Sequence, residues 1–286
     1  MSEDVHPRAD ELDALDTVEL LAVMQQEDRR ALDALREQLP AVAKAVDAIV
    51  QRMRAGGRLH YFGAGTSGRL GALDAAECGP TFGVDPASVQ AHDAGDGEAE
   101  DDGRRGCEEA RASVAPRDAV VAISASGRTA YALGAADEAR RVGALVVALS
   151  CAPGSPLGES ADVAIEVATG PEVIAGSTRL KGGTVQKIVL NMISTGVFTR
   201  LGRTYRGRMV GVEPLNAKLR GRALGMVVAL TGASEAAAEA ALSAAGGSAS
   251  VAVLMLRRGL DAGAARQRLE ASAGDLAAAL GERAQR

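Results

Sequence analysis

Two short segments of this 286-residue chain carry residue types that suit anion binding. Ser124-Ala-Ser126-Gly127-Arg-Thr129 sets three hydroxyls within six residues, after an apolar run and before a helical one. At a helix N-terminus such hydroxyls and the first-turn backbone N–H groups can converge on one phosphate, and Gly127 lets the backbone come close. A helix cap accounts for any one of these side chains but not for all three. Gly63-x-Gly65-x-x-Gly68 is the second segment, with Thr66 and Ser67 inside it as further donors. It also fits the dinucleotide fingerprint, for which Asp93 at the end of the next apolar run would be the ribose acid. The hydroxyls in both loops favour a phosphorylated small molecule over NAD.

Metal chemistry has little support. His6, His60 and His92 fall at no helical or strand ligand spacing, and Cys78, Cys107 and Cys151 are too far apart for a zinc motif. Neither a metal nor a cofactor is expected. An odd, scattered set of cysteines suits a reducing compartment.

The elements around the loops follow from periodicity. From Thr17 to Arg54 apolar residues recur every three or four positions, predicting two amphipathic helices with Pro40 opening the second. Strands are predicted over 58–63, 88–94, 119–124, 144–150 and 161–167, with helices after the first glycine loop, over 131–142 and over 178–201. Alternating strands and helices imply an α/β fold with a parallel sheet covered on both faces. Ligands of such sheets gather beyond the carboxyl ends of the strands, where both loops fall. Beyond Asn216 short Ala-rich helices over 236–245, 251–258, 262–269 and 276–282 form a small appendage. The expected domains are N-terminal helices 1–55, a sheet domain 56–213 that carries both loops and a helical subdomain 214–286.

Composition narrows the function classes. With 32 basic against 37 acidic residues, three Phe, three Tyr and no Trp, neither a cationic field nor a stacking surface favours nucleic acid. No apolar run approaches the roughly 20 residues that span a bilayer, and the acidic N-terminus is unlike a signal peptide. A cytoplasmic protein is expected.

The Ser-x-Ser-Gly-x-Thr loop after a strand, with the earlier Gly-Thr-Ser loop, resembles the sugar isomerase (SIS) domain family, which binds phosphosugars without a nucleotide. More closely, Gly63-Ala-Gly-Thr-Ser-Gly-Arg-Leu-Gly-Ala-Leu-Asp-Ala-Ala-Glu-Cys78, Ile123-Ser-Ala-Ser-Gly-Arg-Thr129 and Gly170-Pro-Glu-Val-Ile-Ala-Gly-Ser-Thr-Arg-Leu-Lys181 resemble the N-acetylmuramic acid 6-phosphate etherases. The likeness runs from Thr17 to the last helices. It implies a three-layer SIS-type fold, a homodimer, and cleavage of the D-lactyl ether at C3 of N-acetylmuramate 6-phosphate. Elimination and then hydration would give N-acetylglucosamine 6-phosphate and D-lactate.

That reaction needs a base to take the C2 proton and an acid to protonate the departing oxygen. The family's Ala-Ala-Glu-Cys segment implies Glu77 as the acid, and its Ala-Glu-Asp segment implies Glu100 as the base. The chain is several residues shorter just upstream of Glu100, so Glu98 stays open as an alternative, as does a plain solvated acidic loop. The resemblance also implies Thr66, Ser67, Ser124, Ser126, Gly127 and Thr129 at the phosphate, with Glu172 and Lys181 as possible sugar contacts. Gly211 stands where the family usually has Asp. Two other functions share the loops: an aldose-ketose isomerase of phosphosugars, and a sugar-phosphate sensor without turnover. Glu77 in its motif argues against a sensor, and no helix-turn-helix pattern precedes the sheet.

Overall fold

The computed structural model describes residues 4–211 and 217–282. The chain divides into two compact units: Met1–Ala75 with Ala87–Ser194, and Ala76–Pro86 with Thr195–Arg286.

In the first unit a short helix α1 (Ala9–Leu12), not foreseen, precedes α2 (Thr17–Glu37) and α3 (Leu39–Arg54). Asp16 opens α2 with a reciprocal cap: its carboxylate accepts from the Glu19 N–H at 2.9 Å, and Glu19 accepts from the Asp16 N–H at 3.2 Å. The sheet contains β1 (Leu59–Gly63), β2 (Val89–Asp93), β3 (Ala119–Ile123), β4 (Leu145–Ser150) and β5 (Val163–Glu166), in the order β2-β1-β3-β4-β5. All pairings are parallel. β3 is buried along its whole length, as a strand with helices on both faces must be.

Those helices are α4 (Gly65–Phe82), α5 (Gly103–Ser113), α6 (Ala130–Arg141), α7 (Pro156–Glu159) and α8 (Lys181–Arg200). α5, α6 and α7 cover the face that carries Phe62, Val120, Ala122, Val146 and Ala148. On the other face α3 packs on β3, β4 and β5, and Gly71 of α4 lies against Tyr61 and Ile123. The result is the expected three-layer α/β fold. The acidic run after β2 is a 3-10 turn, Gly97–Asp101, leading into α5, whose first turn Asp102 caps by accepting from the Arg105 N–H at 2.9 Å.

Connections run in opposite directions from β1 and β3, which opens a crevice between them. Gly63 is in register with both Asp93 and Ile123. The loops after β1, β2 and β3 therefore leave the sheet at one level.

The second unit holds α9 (Ala217–Thr231), α10 (Glu235–Ala244), α11 (Ala249–Arg258), α12 (Ala262–Ala271) and α13 (Leu276–Ala279), with α9 an addition to the expected helices. Its core includes Met226, Val227, Val253, Leu254 and Leu276. A Cβ at Gly211 would lie 2.5 Å from the Phe82 carbonyl oxygen, so this backbone contact leaves no room for a side chain where the resemblance implies Asp. The boundary expected at 213/214 lies outside the described residues. Among them no single helix is long and apolar enough to cross a membrane; only α10 and α11 together pass by length and composition, bent by 116°.

Candidate functional site

The loop after β3 brings its three hydroxyls together. Ser124 Oγ lies 2.8 Å from Thr129 Oγ1 and 3.4 Å from Ser126 Oγ, while the Thr129 and Arg128 N–H groups donate to Ser124 and Ser126 at 3.4 and 3.2 Å. Thr129 is the N-cap residue of α6 but its side chain makes no cap bond. The hydroxyls are thus not consumed in capping, and they converge above the positive end of a twelve-residue helix. Gly127 takes φ +65°, and a Cβ there would sit 2.3 Å from Ser155 Cβ. Both its conformation and its surroundings demand glycine.

The loop after β1 has a different lining. A Cβ on Gly68 would lie 2.1 Å from Asp93 Oδ1, and the same oxygen accepts from the Gly95 N–H at 2.9 Å. The acid that a dinucleotide would need at its ribose is folded into the loop itself. Arg69 grips both oxygens of Asp96 at 2.9 and 2.8 Å, tying the first turn of α4 to the acidic segment. Glu100 is half-buried with Oε1 2.9 Å from where a Cβ on Gly65 would stand, whereas Glu98 is exposed. Asp96 and Glu100 thus join Asp93 in being placed against the first loop.

The third wall is the start of α8. Glu172, 1% exposed, accepts from the Gly182 N–H at 2.9 Å and the Lys181 N–H at 3.2 Å, capping the helix. Burial pushes its carboxyl above the ordinary value, against the pull of those bonds and of the Lys181 charge. The Lys181 ammonium is also buried and donates to Glu27 of α2 at 2.6 Å. Burial alone would raise the Glu27 carboxyl, but Lys181, His6 and Arg30 hold it below its usual value. Glu172 and Lys181 are therefore engaged in setting the helix in place. What α8 then presents to the first loop is Gly183, against the Thr66 methyl, and Gln186, whose Oε1 accepts from the Ser67 hydroxyl at 3.0 Å.

Glu77 lies in α4, in the segment assigned to the second unit, and is exposed. One turn earlier stands a buried carboxyl that sequence reasoning passed over. Asp74 accepts from Tyr61 Oη at 2.9 Å, Asn191 Nδ2 at 2.8 Å and Ser194 Oγ at 3.1 Å, and burial raises its pKa despite those bonds. The signal was an acid among apolar positions of a helix, Leu-Asp-Ala. The histidines also form a pair invisible to linear spacing: His60 Nδ1 lies 3.2 Å from His92 Nε2 across β1 and β2, with Asp118 Oδ2 3.3 Å from His60 Nε2. This cluster involves the amino end of β3, away from the loops. Among the described residues no group of three or more His, Cys, Asp or Glu is arranged to hold a metal ion.

Comparison with known proteins agrees with this architecture. The SIS domain model matches residues 107–195, which include the second loop but not the first. The chain is 51% identical to an N-acetylmuramic acid 6-phosphate etherase of Rubrobacter xylanophilus, covering 96% of the chain and 94% of that relative. It is 46% identical to the enzyme of the same name from Cutibacterium acnes, covering 97% and 94%. Among solved structures, an E. coli CFT073 protein superposes with TM-score 0.51 at 19% identity, covering 68% of this chain and 97% of that one. A phosphoheptose isomerase from Francisella tularensis gives TM-score 0.51 at 16% identity, covering 65% and 100%. At these identities the two structures speak to the fold alone.

Proposed function

This chain belongs to the N-acetylmuramic acid 6-phosphate etherase family, and on that premise we propose how its residues share the work. The reaction is cleavage of the D-lactyl ether of N-acetylmuramic acid 6-phosphate by elimination and hydration, giving N-acetylglucosamine 6-phosphate and D-lactate. The observation that carries this reading is near-complete coverage at 46–51% identity by relatives of that name.

The 6-phosphate is held by Ser124, Ser126 and Thr129 with the amides around Gly127, and Thr66 and Ser67 complete its cradle. Support comes from the hydroxyl cluster at the N-terminus of α6. Ring opening puts an aldehyde next to C2, which acidifies the proton there. Glu100 takes that proton, a role favoured over Glu98 by its position over Gly65. Glu77 gives a proton to the leaving lactate oxygen; this rests on the motif alone. Glu172 and Lys181 serve the sugar indirectly, by fixing the helix start that faces the first loop. We further propose a homodimer, which the family resemblance implies, and a cytoplasmic location, which three free cysteines and a phosphorylated substrate suit.

The test is incubation with N-acetylmuramate 6-phosphate without added metal or nucleotide. D-lactate and N-acetylglucosamine 6-phosphate should appear in equal amounts. A ketose phosphate without lactate would instead identify an isomerase.

A further inference from the structure

Gln186 has a buried side chain that the proposed chemistry does not use. It is 1% exposed, its Oε1 accepts from Ser67, and its Nε2 has no hydrogen-bond partner among the described residues. A buried amide N–H without an acceptor forfeits its hydration with nothing in return, and such groups are few in folded proteins. Its neighbour explains what could relieve it. The Ser67 hydroxyl has one hydrogen, and here that hydrogen is spent on Gln186 rather than directed at a ligand.

A half-turn of the amide exchanges its two ends. Nε2 then donates to Ser67 Oγ, and the serine hydrogen is released to point elsewhere. Oxygen comes to occupy the unpartnered place, which a carbonyl tolerates better than an N–H does. Ser67 is itself buried at 7% exposure, in the loop that also carries Thr66, so its hydroxyl has few directions available.

We propose that Gln186 is a positioning residue for phosphosugar binding: by donating to Ser67 Oγ it turns the Ser67 hydroxyl from an internal donor into a donor to the substrate phosphate. This rests on the reading of Ser67 as a phosphate ligand given above. The α8 helix is built to allow it. Gly183 packs on Thr66 one turn before Gln186, and Glu172 and Lys181 fix the helix start from behind.

The experiment is a double-mutant cycle with S67A, Q186M and S67A/Q186M, read as KM and kcat for lactate release and as calorimetric binding of N-acetylglucosamine 6-phosphate. S67A should weaken binding about tenfold or more, as loss of a bond to a charged group does. Q186M should raise KM severalfold with kcat held within about twofold, and should add nothing on top of S67A, as for two residues acting through one contact. Q186N, which keeps an amide but draws it back from Ser67, should match Q186M and replaces it if Q186M fails to fold. Q186E, which can only accept, should be the worst binder of the set. Full additivity of S67A and Q186M, or a fall in kcat with KM unchanged, would overturn the proposal. So would S67A binding like the unsubstituted protein. An S126A variant measured in parallel separates these failures from failure of the phosphate loop itself, because S126A would still bind poorly if only the Gln186 role were wrong.

Discussion

The loops after β1 and β3 leave neighbouring strands at one rung, each turns through glycine, each carries hydroxyls and each feeds a helix, yet their surroundings differ. Around the loop after β3 the hydroxyls of Ser126 and Thr129 both lie within 3.4 Å of that of Ser124. Over the loop after β1 stand Asp93, Asp96 and Glu100, of which, among the described residues, Asp96 alone is paired with an arginine. An anion gains from donors and loses by approaching uncompensated carboxylates, the more so where water is partly excluded. On the reading proposed above, hydroxyls of both loops hold the phosphate, while the carboxylate placed over the first loop moves the proton.

On that reading, substitutions of the carboxylates over the first loop and of the hydroxyls in the second should fail in different ways. The largest effects belong to the carboxylates. Glu100→Gln should slow lactate release at least about a hundredfold, as loss of a general base does, while leaving affinity for N-acetylglucosamine 6-phosphate nearly unchanged. It should also abolish exchange of the C2 proton in deuterated water, measured by NMR, whereas Glu98→Gln should turn over almost normally. Glu77→Gln should separate the two steps: exchange at C2 continues and lactate stays bound in ether linkage. Were Glu98→Gln the inactive variant, the upstream shortening would have moved the base by two residues.

Affinity is the signature expected of the other loop. Ser126→Ala removes one donor to a phosphate, a cost of about 1.5–3 kcal/mol, or roughly tenfold to a hundredfold in Kd by calorimetry. At saturating substrate the variant should regain most of its rate. A loss of rate that saturation does not repair would mean that the two loops act as one device.

Much of this contrast was legible before any coordinates. The hydroxyl triplet announces itself because three donors in six residues have no ordinary structural use, and β1, β3 and β4 read as strands because both their faces are buried. Where the reading failed, the signal was physically weak. α5 escaped because its buried face is made of Gly106 and Ala110, small residues that leave no apolar stripe in a charged sequence. α9 carries Gly221 and Gly225, which blur its period. That Glu100 lies over Gly65 while Glu98 is exposed needed the 3-10 turn, since residues two apart face different ways in it. The Ser67–Gln186 bond links residues 119 apart in sequence, a distance across which spacing arguments have no reach.

The smallest effect expected is one the loops should not feel at all, because it arises in the His60–His92–Asp118 cluster. Burial lowers the His60 pKa from 6.5 to about 4, outweighing the opposing pull of Asp118, and it lowers His92 as well. The folded state therefore keeps His60 neutral while the unfolded chain binds a proton below pH 6.5. Stability from this residue is fully present above pH 6.5 and is lost as pH falls towards 4, at no more than about 1.4 kcal/mol per unit. Between pH 6.5 and 5.5 the cost comes to about 1 kcal/mol, visible as a falling urea midpoint. The raised carboxyls of Asp74 and Glu172 act in the opposite sense, stabilising as pH drops through their folded values, so the unsubstituted protein alone does not isolate the histidine. His60→Gln, which keeps a neutral polar side chain but cannot take the proton, should make this part of the pH profile shallower, while the contributions of His92 and of the carboxyls persist. It should leave the KM for the phosphosugar unchanged at pH 7.5; a KM that moved with His60 would mean that the two ends of the sheet are coupled.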